Sequence, residues 1–274
     1  MKIFTQLSEL RAWRASLRLA GQRLAFVPTM GNLHSGHIEL INQAHLHADV
    51  VITSIFVNPM QFGENEDLDA YPRTFEADCD KLKAAGNHAV YYPCVTDMYP
   101  NGLTNQTFVE VPDTEHTLCA EASQRPGHFR GVSTVVTKLF NMVQPDVACF
   151  GEKDYQQLRL IRAMVQDLNM PIEIVGVPTV REGSGLAKSS RNGYLTDEEK
   201  AKAPALYQVL TRLKQEVLSK KGAIPQLEAT AEKAINSAGL KTDYVLVRDA
   251  ISLAPATEVT RDIVILAAAY LGKA

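Results

Sequence analysis

The strongest chemical signal in the chain is Pro28-Thr29-Met30-Gly31-Asn32-Leu33-His34-Ser35-Gly36-His37. It lies where an apolar strand-like run, Leu24 to Val27, hands over to a segment of helical period, Ile38 to Ala48. In an open parallel sheet, ligands bind beyond the carboxyl ends of the strands, and the next helix offers unpaired N–H groups and a positive dipole to phosphate. Gly36 lets a flat base or ribose approach the backbone closely. His34 and His37, three apart, share one helical face, so both can reach a triphosphate. A solvated histidine pair or a stray metal site is the plainer reading of that spacing. The strand before and the helix after favour phosphate.

Three further clusters end strands or bridge segments. Asn58 and Gln61, in Phe56 to Gly63, supply neutral donors and acceptors suited to a hydroxyl-bearing carboxylate. In Gly151-Glu152-Lys153-Asp154, Lys153 can meet phosphate as a point charge and Asp154 can take a ribose hydroxyl or a metal. In Gly185 to Asn192, Ser189 and Ser190 stand between Lys188 and Arg191, a composition suited to a loop that clamps a triphosphate. Taken singly, these are a proline loop, a solvated helix start and a basic linker. Together they gather histidine, lysine, arginine and hydroxyls without an obvious covalent nucleophile. That set suits adenylyl transfer, which needs positioning and charge stabilisation more than bond-making by the protein.

The elements that must position these residues follow from periodicity. Short β-branched runs at Leu24 to Val27, Val50 to Val57, Ala89 to Tyr92, Val147 to Phe150 and Ile172 to Val177 alternate with helical segments at Ile38 to Ala48, Thr74 to Ala85, Val132 to Val143 and Tyr155 to Leu168. That alternation predicts an α/β fold, a Rossmann-like doubly wound parallel sheet covered by helices. In the Thr74 helix, Glu76 and Asp78 complement the positive start, Lys81 and Lys83 the negative end, and Gly86 permits a left-handed exit. A polar, glycine-rich stretch from Arg181 to Asn192 marks a boundary, giving a domain over 1–178 and a smaller C-terminal α+β domain over 179–274. There Thr196 and Glu199 form a capping box for a long helix, and Tyr244 to Val247 and Ile263 to Ala268 read as antiparallel strands.

Composition narrows the partners. With 28 basic and 31 acidic residues interleaved, a net charge of −3 supplies no bulk field for nucleic acid or an anionic membrane. Met1 to Gln6 lacks the apolar core and cleavage site of a signal peptide, and no apolar run reaches membrane-spanning length, so a cytoplasmic location is expected. Cys79, Cys94, Cys119 and Cys149 form no CxxC pair and are expected to be reduced and structural.

The strand, histidine, glycine, histidine and helix resemble the HxGH nucleotidyltransferases. The four segments together, in order along the whole chain, resemble the pantoate–β-alanine ligase family. The resemblance implies a homodimer with a C-terminal lid domain, and a magnesium-dependent reaction of ATP, (R)-pantoate and β-alanine to pantothenate, AMP and diphosphate. Carried over residue by residue, it puts the nucleotide on Met30, Gly31, Asn32, Leu33, His34, Ser35, Gly36 and His37, with His37 in the place usually described as the proton donor. Gly151, Glu152, Lys153 and Asp154 belong to the same nucleotide site, Val180 to the adenine, and Lys188, Ser189, Ser190 and Arg191 to the phosphates. Gln61 matches a glutamine touching pantoate and β-alanine, Gln157 a second pantoate glutamine, Asn58 a supporting contact, and Asp78 an acid near magnesium. The family loop often has methionine where Lys188 stands, and some relatives carry a second acid where Ala77 stands.

The implied chemistry is attack of the pantoate carboxylate on the α-phosphorus, then of the β-alanine amine on the acyl carbon. His34, His37, Lys153, Ser189, Ser190, Arg191 and magnesium hold the charge, and closure of the second domain excludes water. A nucleotidyltransferase that joins AMP to a phosphate acceptor is the nearest rival. A tRNA synthetase and a nucleotide sensor without turnover stand further off.

Overall fold

The computed structural model describes residues 1–63, 68–69, 71–112 and 127–274. Two compact units divide the chain, one running to Thr179 and the other from Val180 to Ala274. Cys119 lies outside the described residues.

The first unit is a six-stranded, wholly parallel sheet. Its strands are β1 (Lys2–Phe4), β2 (Leu24–Thr29), β3 (Val50–Ile55), β4 (Ala89–Tyr91), β5 (Val147–Gly151) and β6 (Glu173–Val177), in spatial order β1-β4-β3-β2-β5-β6. The chain winds outward from β2 through β3 to β4, then crosses back to add β5 and β6 on the other flank of β2. The order therefore reverses at β2 and β5, where such sheets bind ligands. Pro28 brings no N–H to the ladder. The β2–β5 pairing ends at Phe26, whereas β5 continues along β6 to Gly151. The carboxyl ends of β2 and β5 thus part, leaving a crevice between them.

Helices cover both faces, as the buried, β-branched strands require. On one face α2 (Ser35–His47) and α3 (Phe75–Ala84) bury Leu40, Ile41, Ala44 and Leu82 against Ala25, Val27, Val51, Val90 and Cys149. On the other, α5 (His128–Val143) sets Phe140 edge-on to Phe26 and Phe150, each with ring centroids 6.3 Å apart. A short α4 (Val95–Met98) follows β4, and α6 (Tyr155–Asp167) follows β5. Gly86 takes the left-handed exit from α3 at φ 74°.

In this unit the edge strand β1, α1 (Leu7–Leu19) and the short α4 escaped the sequence reading. The buried stripe of α1 is Leu10, Arg14 and Leu17, and a charged residue in its centre hides the helical period. Arg14 is buried because Asp146 accepts two bonds from its Nη2 at 2.9 Å and the Gln144 carbonyl accepts from Nε at 2.8 Å. It therefore ties α1 to the C-terminal end of α5. The third strand is also shorter than expected, ending at Ile55 rather than Val57.

In the second unit, α8 (Ala205–Leu218) and α9 (Ile224–Ser237) pack on an antiparallel pair, β7 (Lys241–Asp249) and β8 (Ile263–Tyr270), around Leu213, Leu227, Ile235, Val245 and Val247. The Thr196–Glu199 capping box forms, but it heads the short helix α7 (Asp197–Lys202). Pro204 separates α7 from the long helix, because a proline interior to one continuous helix would lose a hydrogen bond and clash with the preceding turn.

Candidate functional site

The loop from β2 to α2 turns through two left-handed residues, Gly31 at φ 84° and Asn32 at φ 50°. At Gly31 an added Cβ would lie 3.2 Å from both Asp78 Oδ2 and Ile55 Cγ2, so side-chain bulk is excluded there as well. Fully buried Asp78 holds the turn. Its carboxylate accepts from the N–H groups of Asn32 and Leu33, each at 2.8 Å, and from Thr74 Oγ1 at 3.0 Å. Lys81 Nζ, 3.8 Å from that carboxylate, donates to the Leu33 carbonyl at 2.7 Å. The sequence reading put Asp78 near magnesium. The structure spends both its oxygens on the loop.

The two histidines then open α2 by capping it. His34 is the N-cap, and its Nδ1 accepts from the Gly36 N–H at 3.1 Å. His37 Nδ1 accepts in turn from the His34 N–H at 3.2 Å. The rings lie 4.1 Å apart between centroids. With its Nδ1 accepting, a neutral ring at either position carries its proton on Nε2. Burial pushes the His37 pKa down to about 3, with the neighbouring His34 charge adding to it, Lys153 and Lys81 acting the same way, and Asp154 opposing. His37 is therefore a neutral imidazole near pH 7. It offers a hydrogen bond rather than an imidazolium proton, and the plainer reading, a helix-capping pair, holds alongside the functional one.

Of those groups, Lys153 and Asp154 follow the end of β5. A 3-10 turn, Glu152–Asp154, leads into α6, with Lys153 Nζ 3.2 Å from Asp154 Oδ1 and both side chains exposed. In the first turn of α6, Gln156 is buried and Gln157 only partly so.

Beyond β3 the chain forms a 3-10 turn, Pro59–Gln61, with Asn58 as its N-cap. Asn58 is 1% exposed and fully bonded: Oδ1 accepts from Tyr99 Oη at 2.6 Å and Met60 N at 3.3 Å, while Nδ2 donates to Gln61 Oε1 at 2.9 Å and the Gly131 carbonyl at 3.3 Å. The sequence reading gave it a supporting contact to substrate; here each of its four amide bonds goes to a protein group, Gln61 among them. The turn also lies hard against α5, since a Cβ on Gly131 would come within 2.5 Å of the Met60 carbonyl oxygen.

A cavity of about 500 Å³ borders the same loop, lined by Met30, Gly31, Phe56, Val57, Thr74 and Tyr92 among others. His34, His37, Gln61 and Lys153 do not line it, whereas Arg73, Asp78 and Asp97 do.

The family model described as pantoate-beta-alanine ligase matches residues 2–274. The chain belongs to that family. A pantothenate synthetase of Pseudomonas fluorescens is 57% identical over 96% of this chain and 93% of its own length. That of Colwellia psychrerythraea is 56% identical over 100% and 96%. The crystal structure of pantothenate synthetase from Thermus thermophilus superposes with a TM-score of 0.91 at 41% identity, covering 100% of this chain and 96% of its own. A pantoate-beta-alanine ligase from Francisella tularensis, complexed with beta-gamma ATP and beta-alanine, gives 0.79 at 34% identity over 100% and 98%.

In this pantoate–β-alanine ligase family member, the segment read as a phosphate-clamping loop, with a basic linker as the plainer alternative, is a folded hairpin within the second unit. Arg181 and Ala187 form an antiparallel bridge, the Lys188 N–H donates to the Val180 carbonyl at 2.9 Å, and the Arg181 guanidinium lies 3.6 Å from the Tyr207 ring centroid. Lys188, in the place of the family's frequent methionine, pairs with Glu182 at 3.2 Å. Ser189 caps the next 3-10 turn, Ser190–Tyr194, by accepting from the Arg191 N–H at 3.2 Å.

Sequence reasoning missed Tyr99, Gly131 and Lys81, which support the loops from behind and carry no local motif. Among the described residues, no three His, Cys, Asp or Glu side chains gather as a metal site, and no helix is long and apolar enough to cross a membrane.

Proposed function

We propose that this chain condenses (R)-pantoate with β-alanine at the expense of ATP, giving pantothenate, AMP and diphosphate through a pantoyl adenylate. The observation that carries the reading is the capped histidine pair at a helix N-terminus, placed where the strand order reverses.

A pantoate carboxylate oxygen attacks the α-phosphorus, forming an acyl–O–P bond as the bond to diphosphate breaks. Negative charge grows on the phosphate oxygens. His34 and His37, Lys153 and the positive N-terminal end of α2 stabilise it without reorganising. Because His37 is already neutral, it need not lose a proton to act. The β-alanine amine then attacks the acyl carbon, AMP leaves on its phosphate oxygen, and the amine proton passes to solvent. Gln61 and Gln157 hold pantoate in this reading. The family resemblance supports giving Met30 to His37, Gly151 to Asp154, Val180 and Lys188 to the nucleotide, and Ser189, Ser190 and Arg191 to its phosphates. It also supports a homodimer, which light scattering of the purified protein tests.

Magnesium suits such a site as an ion carried by the triphosphate, since it keeps several waters and asks for only one or two carboxylates. Asp154, exposed beside Lys153, fits that demand; Asp78, with both oxygens bonded to the loop, does not. Bound there, the ion would supply charge neutralisation on the phosphates.

AMP release from purified protein with ATP and magnesium, adding pantoate and β-alanine separately and together, tests the reading. AMP formed with both, matched by pantothenate, is the expected result. Diphosphate without dependence on an amine would make the chain an adenylyltransferase. Binding of ATP without turnover under any mixture would make it a sensor.

A further inference from the structure

We infer that Tyr99 is a positioning residue for the ligation, its hydroxyl setting through Asn58 the direction in which the Gln61 amide faces. The inference rests on the proposed reaction and adds to it a residue from a distant segment.

An amide side chain can sit either way round, and which end of Gln61 meets substrate depends on what fixes it. Four groups surround the Asn58 amide. The Met60 N–H can only donate and the Gly131 carbonyl can only accept, so they orient Asn58 with Oδ1 toward Met60 and Nδ2 toward Gly131. The second hydrogen on Nδ2 must then find an acceptor, and Gln61 Oε1 is there at 2.9 Å. Gln61 consequently points its carbonyl inward and turns its NH2 end the other way. A donor end suits a carboxylate or hydroxyl of substrate; the opposite face would repel a carboxylate.

Both backbone contacts that orient Asn58 are long, at 3.3 Å. Tyr99 Oη supplies the short one, 2.6 Å to Oδ1. Tyr99 is 3% exposed, and burial pushes its pKa up, so the hydroxyl keeps its proton and can donate. The ring is located independently of that bond, by Phe56 at 6.1 Å between centroids and by Lys138 Nζ 5.6 Å from its centre. A phenol so placed resists rotation of Asn58, because reversing the amide would break the short bond Oδ1 accepts from Tyr99 and set NH2 against the Met60 N–H and oxygen against the Gly131 carbonyl.

Tyr99→Phe keeps the ring and removes only the donor. Its expected effect is a pantoate KM raised roughly 5- to 10-fold, the equivalent of one neutral hydrogen bond, with the ATP KM within about twofold of the parent. The discriminating measurement is a double-mutant cycle with Gln61→Ala, read as pantoate affinity by calorimetry with a non-hydrolysable ATP analogue, so that slow turnover does not limit it. If Tyr99 acts through Gln61, the phenylalanine change has no further effect once Gln61 is alanine. An effect that persists undiminished in that background, or an unchanged pantoate KM in the single variant, overturns the inference. Absence of any pantoate-dependent turnover in the parent protein would instead overturn the proposed reaction, so the two failures are distinct.

Discussion

The loop after β2 and the hairpin that opens the second unit both present residues assigned to ATP, yet they are held in opposite ways. The first is pinned by Asp78, wholly buried, which takes two backbone N–H groups and a threonine hydroxyl, and by histidines that serve as caps. The second is held at its surface by Lys188 and Glu182, whose side chains are 32% and 38% exposed, and by Arg181 lying over Tyr207. Buried anchoring fixes donors before substrate arrives, which is what charge stabilisation requires. Half-exposed pairs cost little to rearrange, which suits a segment that must adjust. On the proposed reading, the preorganised part of the chemistry lies in the first unit.

Asp78→Ala should show that difference most strongly. It strands two N–H groups and opens a cavity, so a loss of about 3–5 kcal/mol is expected, read from urea denaturation. Near-parental stability with a changed magnesium requirement would return Asp78 to the metal. His37→Ala should lower turnover roughly 100-fold or more, about 2.7 kcal/mol of transition-state stabilisation. His37→Asn, whose oxygen can replace the Nδ1 acceptor, should restore much of the lost stability without restoring the rate. Normal adenylate formation in either variant would remove His37 from the phosphates.

Acidification separates the two regions more finely. Unfolded His37 takes a proton below its ordinary value of 6.5, whereas the folded residue resists until about 3. Over that window the unfolded state binds more protons, so His37 contributes stability present above pH 6.5 and lost as pH falls toward 3. His37→Asn should therefore flatten the fall in unfolding free energy with decreasing pH; an unaltered slope would contradict the neutral imidazole. The smallest effect is expected in the hairpin, where Lys188→Met should change stability by no more than about 0.5–1 kcal/mol in a melting experiment.

Much of the first unit was readable because its signals are local. β2, β3 and β5 announce themselves by β-branched runs, and each motif sits immediately after one of them. Histidines three apart with a glycine between declare a helix start. What supports them was not readable, since Asp78 reaches the loop from 46 residues away and Tyr99 reaches Asn58 from 41. Asn58 was singled out by type and Asp78 by the family resemblance, but only the geometry shows Asp78 bonded to the loop backbone and Asn58 to Gln61. Helix α1 was hidden by Arg14, a charge that becomes a core residue only once Asp146 meets it. The hairpin looked like a linker because serine and glycine dominate it, while the bridge that folds it joins ordinary residues, Arg181 and Ala187.

The central claim is that the pantoate carboxylate itself attacks the α-phosphorus. Pantoate carrying heavy oxygen in its carboxylate, turned over with ATP and β-alanine, tests this directly by mass spectrometry of the products. One labelled oxygen should appear in AMP for each pantothenate formed. Label in inorganic phosphate or diphosphate, or AMP free of label, would contradict an acyl adenylate and require a different route to the amide.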